Sequence, residues 1–267
     1  MLTVLLGMCV GLVLGLTGAG GGILAIPALT LGLGWSVTQA PPIALLAVGG
    51  AATLGALHGL HHGLVRYKAA AVMAVAGWLT APMGLYLSGQ LPGGLLIGLF
   101  GVVMFAVACR MYAKARQADC TDGSGTSKKN CRLDPATGRL RWTARSGATL
   151  ASIGASSGLL TGLLGVGGGF LIVPALRRVS DVPMHGIVAT SLMVVALISL
   201  GALTHLFYQG FALSGVGMLF TGATFAGMLL GRLGAPHLSG QRLQRFFAVL
   251  CIAVSVLMMG RAVVGWL

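Results

Sequence analysis

Two glycine-rich clusters are the parts of this chain best suited to a chemical role. Gly15–Leu29 reads GLTGAGGGILAIPAL and Gly162–Leu176 reads GLLGVGGGFLIVPAL, with ten of 15 positions identical. Successive glycines destabilise a helix by roughly 1 kcal/mol each relative to alanine. Each cluster therefore predicts an unwound stretch, and the N–H groups where the helix restarts could bind an anion. The predicted substrate-binding residues of the clusters are Thr17, Gly18, Gly20, Gly21, Gly22, Gly165, Gly167, Gly168 and Gly169, with helix breaks at Pro27 and Pro174.

The alternative role for these glycines is close helix packing, which small residues at four-residue spacing permit. Gly11 and Gly15 have that spacing, as do Gly158 and Gly162. Packing does not require three glycines in a row, so the triplets favour a broken helix. No Lys or Ser/Thr follows the clusters as a phosphate-binding P-loop requires, which disfavours nucleotide binding.

Two hydroxyl side chains in a later apolar segment are further candidate ligands. Thr190 and Ser191 stand side by side in its early part. They could donate hydrogen bonds to a substrate, although Ser and Thr in spanning helices often bond their own backbone. We include both among the predicted substrate-binding residues.

Histidines near the ends of two segments could couple transport to protons or contribute to anion binding. His58 and His205 both follow the sequence LGAL. Because His61 and His62 lie close behind His58, metal binding is an alternative reading. Nearby basic residues favour an interfacial position instead, so we predict no metal site and no cofactor.

Composition places these residues in lipid. The chain has 267 residues, of which 56% are hydrophobic and 8% charged, whereas soluble domains carry about 25% charged residues. All four acidic residues are Asp and none lies centrally in an apolar segment, which disfavours a carboxylate-coupled cation carrier and favours an anion. The net charge of +13 comes from basic residues between apolar segments, so it indicates topology control rather than nucleic-acid binding. No catalytic motif supports an enzyme.

Apolar runs divide the chain into eight hydrophobic segments, most of them close to the roughly 20 residues that span a bilayer. The first and fifth are longer and contain the glycine clusters. We predict an all-α membrane protein, a polytopic helical bundle in two homologous halves, with the first segment of each half broken at its glycine-rich motif. The segments lie near Leu2–Leu33, Ala40–Leu60, Ala69–Leu87, Leu91–Ala108, Ser146–Leu176, Ile187–Phe207, Phe211–Leu230 and Phe246–Met259.

A polar stretch separates the halves. Arg110–Arg145 holds nine of the 17 basic residues. We place the first membrane repeat at residues 1–112, a polar cytoplasmic linker at 113–145 and the second repeat at 146–267. Cys120 and Cys131 lie in this linker at a spacing that matches no metal motif.

Charge distinguishes two topologies. If all eight segments span, the best orientation puts 12 basic residues on the inner, cytoplasmic side of the membrane and five on the outer side. If the first and fifth segments are hairpins that enter and leave on one side, 16 fall inside and only Arg261 falls outside. The second count fits the positive-inside rule better and makes the halves inverted. The eight-span model is the plainer reading of hydropathy, so both remain open.

The two glycine-rich motifs resemble the signature of the sulfite exporter TauE/SafE family, and His185–Leu192, HGIVATSL, is similar to its second-half pattern. The resemblance covers most of the chain and implies about eight spans from a duplicated four-span unit. It also implies a multi-pass transporter of the bacterial inner membrane for sulfite, sulfonates or other organic anions.

The expected function is thus transport of a small anion by alternating access between two repeats. The alternatives are a metal or other cation permease that uses the histidines, and a membrane scaffold that uses the glycines for packing. The expected partners are a small anionic substrate and the lipid bilayer, with no nucleic acid. The sequence leaves the oligomeric state, the coupling ion and the direction of transport open.

Overall fold

The computed structural model describes residues 1–36, 39–117, 143–165, 168–180, 184–208, 214–234 and 240–264. These residues are almost entirely helical, which confirms the predicted all-α class. Six helices in the described part are long and apolar enough to cross a membrane, and three shorter apolar helices accompany them. The predicted linker, with Cys120 and Cys131, lies largely outside the described residues.

The first apolar segment consists of several pieces. Helix α1 (Leu2–Thr17) is followed by a 3-10 helix (Ala19–Leu24), a single α-turn α2 (Ala25–Pro27) and a π-helical turn (Ala28–Gly32). We call the stretch from Ala19 to Gly32 the return segment. The later helices are α3 (Ala40–His61), α4 (Tyr67–Gln90), α5 (Gly93–Gln117), α6 (Ala144–Leu164), α7 (Gly169–Val179), α8 (Met184–Tyr208), α9 (Gly215–Gly234) and α10 (Gly240–Val264). Helix α5 thus continues beyond the linker boundary predicted at residue 112.

Glycines bring α1 against α9 and α6 against α4, in the two most extensive helix contacts of the bundle. On α1 and α6, three glycines four residues apart lie on one face, and a Cβ atom at any of them would overlap a backbone carbonyl of the partner. Both pairs run parallel, because the contacts advance in the same direction along each helix. The contacting residues are Gly7 with Phe220, Gly11 with Thr224, Gly15 with Met228, Gly154 with Met73, Gly158 with Gly77 and Gly162 with Ala81.

Helix α3 fixes the direction of the first segment. It runs parallel to α9, since Ile43 contacts Gly217 whereas Gly55 contacts Met228. Because α1 also runs parallel to α9, α1 and α3 point the same way. The chain between them must therefore come back to the side where α1 began.

The return segment does this by folding back along α1. Gly21 lies against the backbone of Leu14, and Gly32 lies against the side chain of Leu6. Later residues of the return segment therefore contact earlier residues of α1. The first apolar segment therefore doubles back along its own first helix.

Helices α3 and α8 form the centre of the bundle and run antiparallel. Gly49 contacts Ser199, whereas Gly59 contacts Ala189. Since α4 follows α3 through a short connection and α6 is parallel to α4, α6 and α8 point the same way. The chain between α6 and α8 must also return to its starting side, and α7 lies in that stretch. Helix α5 packs against α10 at the periphery.

Candidate functional site

The first break begins at Gly18, directly after α1 ends at Thr17. Gly18 has a φ of 78°, a conformation that favours glycine because it has no Cβ atom. A Cβ there would also overlap the side chain of Val188 on α8. Gly21 and Gly22 are buried, and Gly20 lies in the same 3-10 turn, with its surroundings outside the description.

The second break lies between α6 and α7. Gly165 ends α6 with a φ of 68°, and its N–H donates to the carbonyl oxygen of Thr161 at 2.8 Å. Gly168 has a φ of 56° and precedes α7, which begins at the buried Gly169 without a capping side chain. Gly167 lies outside the described residues. The first N–H groups of a helix have no partner further back in the helix; in the first turn of α7, the N–H of Leu171 donates to the carbonyl of Gly168 at 3.1 Å.

The helix that follows the second break contacts the first break. Helix α7 packs against the 3-10 helix of the first break. Each break also rests on the second long helix of the other half of the chain. Gly18 lies against Val188 of α8, and Gly165 lies against Pro41 of α3. Because α3 and α8 run antiparallel, Pro41 and Val188 lie toward opposite ends of this helix pair, so it is α7 that connects the second break to the first.

Two hydroxyl side chains that the sequence interpretation missed line the second break. Ser157 and Thr161 are both fully buried on α6. A Cβ atom at Gly168 would overlap the Ser157 hydroxyl oxygen and lie 2.7 Å from Oγ1 of Thr161. Comparing the repeats at the 147-residue offset could have found them, because the first half has Val10 and Leu14 at the same positions.

The hydroxyls predicted from the sequence are already hydrogen-bonded within the protein. Thr17 donates to the carbonyl of Val13 at 2.7 Å, and Ser191 donates to that of Val188 at 2.9 Å. Thr190 donates to the carbonyl of Gly186 at 2.6 Å and accepts the backbone N–H of Arg66 at 3.1 Å. Thr190 therefore connects α8 to the start of α4, away from the second break.

Pro27 is the last residue of the α-turn α2, whereas Pro174 does not end its helix. Pro174 lies inside α7, which continues to Val179. Pro27 has helical dihedrals and is followed directly by the π-helical turn. Glycines with positive φ end α1 and α6, and the helix-break role of the two prolines stays a prediction.

The two histidines predicted to couple transport are in α3 and α8. His58, in the last turn of α3, is exposed and stacks on His62 with ring centroids 4.4 Å apart. Nδ1 of His62 donates to the carbonyl of His58 at 2.9 Å. His205 is in α8, and its side chain is outside the description. Within the described residues, no group of three or more His, Cys, Asp or Glu could hold a metal ion.

One basic side chain enters the bundle. Arg232, in the last turn of α9, donates from Nη1 to the backbone carbonyl of Gly55 on α3 at 2.9 Å. The guanidinium therefore connects α9 to α3 one turn before His58. The sequence interpretation counted this residue only as a topology signal.

A bundle of apolar helices, with a break in the first and another after α6, has the architecture of a polytopic membrane transporter. The chain belongs to the sulfite exporter TauE/SafE family, whose model matches residues 3–258. This confirms the family resemblance seen in the glycine-rich motifs.

Curated relatives agree with the family. Two proteins of Xylella fastidiosa, from strains Temecula1 and 9a5c, are 31% identical over 264 residues. The match covers 96% of this chain and 93% of each relative, and both are named probable membrane transporter protein. The probable membrane transporter protein YunE of Bacillus subtilis is 27% identical over 216 residues, covering 76% of this chain and 77% of that protein. No solved structure matches the chain at a significant level.

Proposed function

We propose that the protein carries small sulfur-containing or organic anions, such as sulfite or sulfonates, across a bacterial inner membrane by alternating access. The observation that carries this proposal is that α7, which follows the second glycine break, packs on the 3-10 helix of the first break. The uncapped start of α7 offers backbone N–H groups and a positive dipole end at the second break.

The absence of acidic side chains supports an anion as the substrate. All four acids, Asp119, Asp122, Asp134 and Asp181, lie outside the six candidate spans. Intramembrane carboxylates are the usual groups that carry protons or sodium in pumps. Backbone N–H groups and hydroxyls at the breaks are suited to binding oxygen atoms of an anion instead.

We further propose that the protein consists of two inverted halves, residues 1–112 and 146–267. One offset of 147 relates the contacts of the halves. It converts Gly11 against Thr224 into Gly158 against Gly77, with the partners exchanged between halves. It likewise converts Gly84 against Leu159 into Gly231 against Leu12.

Helix directions support the inversion. Helices α3 and α8 are equivalent in the two halves and pack antiparallel. In this arrangement Arg66, Lys68, the linker, Arg177, Arg178 and Arg232 share one side of the membrane, which we assign to the cytoplasm. Inverted repeats commonly form transporters that rock around a site between the halves.

Flux measurements test the function. The purified protein is reconstituted in proteoliposomes, and uptake of labelled sulfite and methanesulfonate is compared with a panel of cations. We expect anion flux well above that of empty vesicles. Gly21→Leu and Gly168→Leu should abolish this flux, because each added side chain overlaps α1 or α6 at a break.

Folded yield, measured by size-exclusion profile, must accompany both variants. Cation flux without anion flux would overturn the proposal in favour of a cation permease. Flux of no solute would leave a packing or scaffold role for the glycines.

A further inference from the structure

The hydroxyl of Ser157 is unusual among the buried hydroxyls of this bundle. Ser and Thr in spanning helices commonly donate to a carbonyl three or four residues earlier. Thr161, Thr224 and Ser255 do so. Ser157 is 0% exposed, and its Oγ has no hydrogen-bond partner among the residues that the structure describes. Burying a hydroxyl without a partner is unfavourable, so a ligand that binds it would relieve that penalty.

The position of this hydroxyl indicates what it could bind. It lies directly beside Gly168, the residue that precedes α7. The uncapped first turn of α7 and the Ser157 hydroxyl thus place hydrogen-bond donors at the same break. Oxygen atoms of an anion accept such bonds, and the N-terminal dipole of α7 favours negative charge there.

Among the described buried side chains, Ser199 Oγ and Arg66 Nε also lack a partner. Ser199 lies against Gly49 between the middles of α3 and α8, where no helix begins. Arg66 is only partly buried, at the start of α4. Ser157 is the one of these three that adjoins a helix N-terminus at a break.

We propose that Ser157 Oγ donates a hydrogen bond to an oxygen of the transported anion, with Thr161 beside it. This inference rests on the proposed function and adds a specific donor to it. The equivalent positions of the first half are Val10 and Leu14, which have no hydroxyl. The second break therefore binds the charged oxygens of the substrate, and the first break contributes no matching donor.

The test compares Ser157→Ala with Ser156→Ala in proteoliposomes. Ser156 is the matched control: it is the preceding residue, exposed, and its hydroxyl already donates to the carbonyls of Ser152 and Ile153. Sulfite and methanesulfonate are the probes. Loss of a hydrogen bond to a charged group should raise the KM of Ser157→Ala by about 10- to 100-fold. The KM of Ser156→Ala should stay at the wild-type value.

A wild-type KM for well-folded Ser157→Ala would overturn the inference and leave the proposed function standing. A change confined to sodium dependence, with the anion KM unaltered, would also overturn it. If the wild-type protein carries neither anion, the proposed function fails and this inference fails with it. Should Ser157→Ala not fold, Ser157→Cys keeps the volume but donates more weakly: an elevated KM supports the inference, and a wild-type KM overturns it.

Discussion

The two glycine breaks both begin with a glycine of positive φ at the end of a helix, but they differ in the backbone that follows and in what surrounds it. In each, a glycine with positive φ ends a helix and rests on the opposite half, at Val188 or at Pro41. Beside Gly21 lies the backbone of Leu14, whereas beside Gly168 lie two hydroxyls. A glycine of positive φ therefore ends the helix at both breaks, while the two hydroxyls lie beside the second.

The largest expected effect is at the glycines that bring α1 against α9 and α6 against α4. Gly11→Val and Gly158→Val should each destabilise the protein by at least about 3 kcal/mol, because the added atoms overlap a carbonyl of the partner helix. Thermal melting in detergent and folded yield measure this effect. Gly222→Val is the control, since a Cβ on that residue of α9 meets nothing within 4 Å. A mild effect at Gly158 alone would show that the contact of α6 with α4 is not equivalent to that of α1 with α9.

The next prediction separates backbone strain from crowding at the breaks. Gly168→Ala should abolish transport, since it adds both a disfavoured φ and an overlap with Ser157. Gly34→Ala is the control: it has a φ of 69° but open space around it. It should lose only about 1 kcal/mol of stability and retain flux. Equal flux in the two variants would mean that the space beside Gly168 is not needed.

A third variant places a hydroxyl in the first break. Val10→Ser should leave the anion KM near wild type and reduce stability by about 1–2 kcal/mol through lost apolar packing. Flux titrations and thermal melting measure the two effects. A marked change in the KM would contradict the view that only the second break binds the substrate oxygens.

The smallest expected effect is at the end of α9, where Arg232 lies against Gly15, close to the first break. Arg232→Met removes the hydrogen bond to Gly55 and should reduce stability by about 1–2 kcal/mol without changing the anion KM. The equivalent residue of the first half is Leu85, so Leu85→Met serves as the matched control. A raised KM in Arg232→Met would extend the substrate path towards the end of α9.

Much of the fold could be predicted because lipid imposes simple requirements on sequence. Apolar runs of spanning length identified the helices, and the repeated motif located both glycine clusters. Sequence alone does not distinguish a proline inside a helix, such as Pro174, from one where the helix type changes, such as Pro27 before the π-helical turn. Ser157 was missed because the partner of a hydroxyl depends on tertiary packing, and the spacing of residue types along one helix does not reveal that packing.

Helices that are far apart in the chain pack on each other, and this affects how the protein is made. Helix α1 packs most extensively on α9, which is synthesised about 200 residues later. The glycine face of α1 therefore enters the membrane long before its partner exists, and lipid or an insertion factor must cover it meanwhile. Neither half has its own partner for these faces, so a chain truncated in the linker should be removed by membrane proteases rather than accumulate.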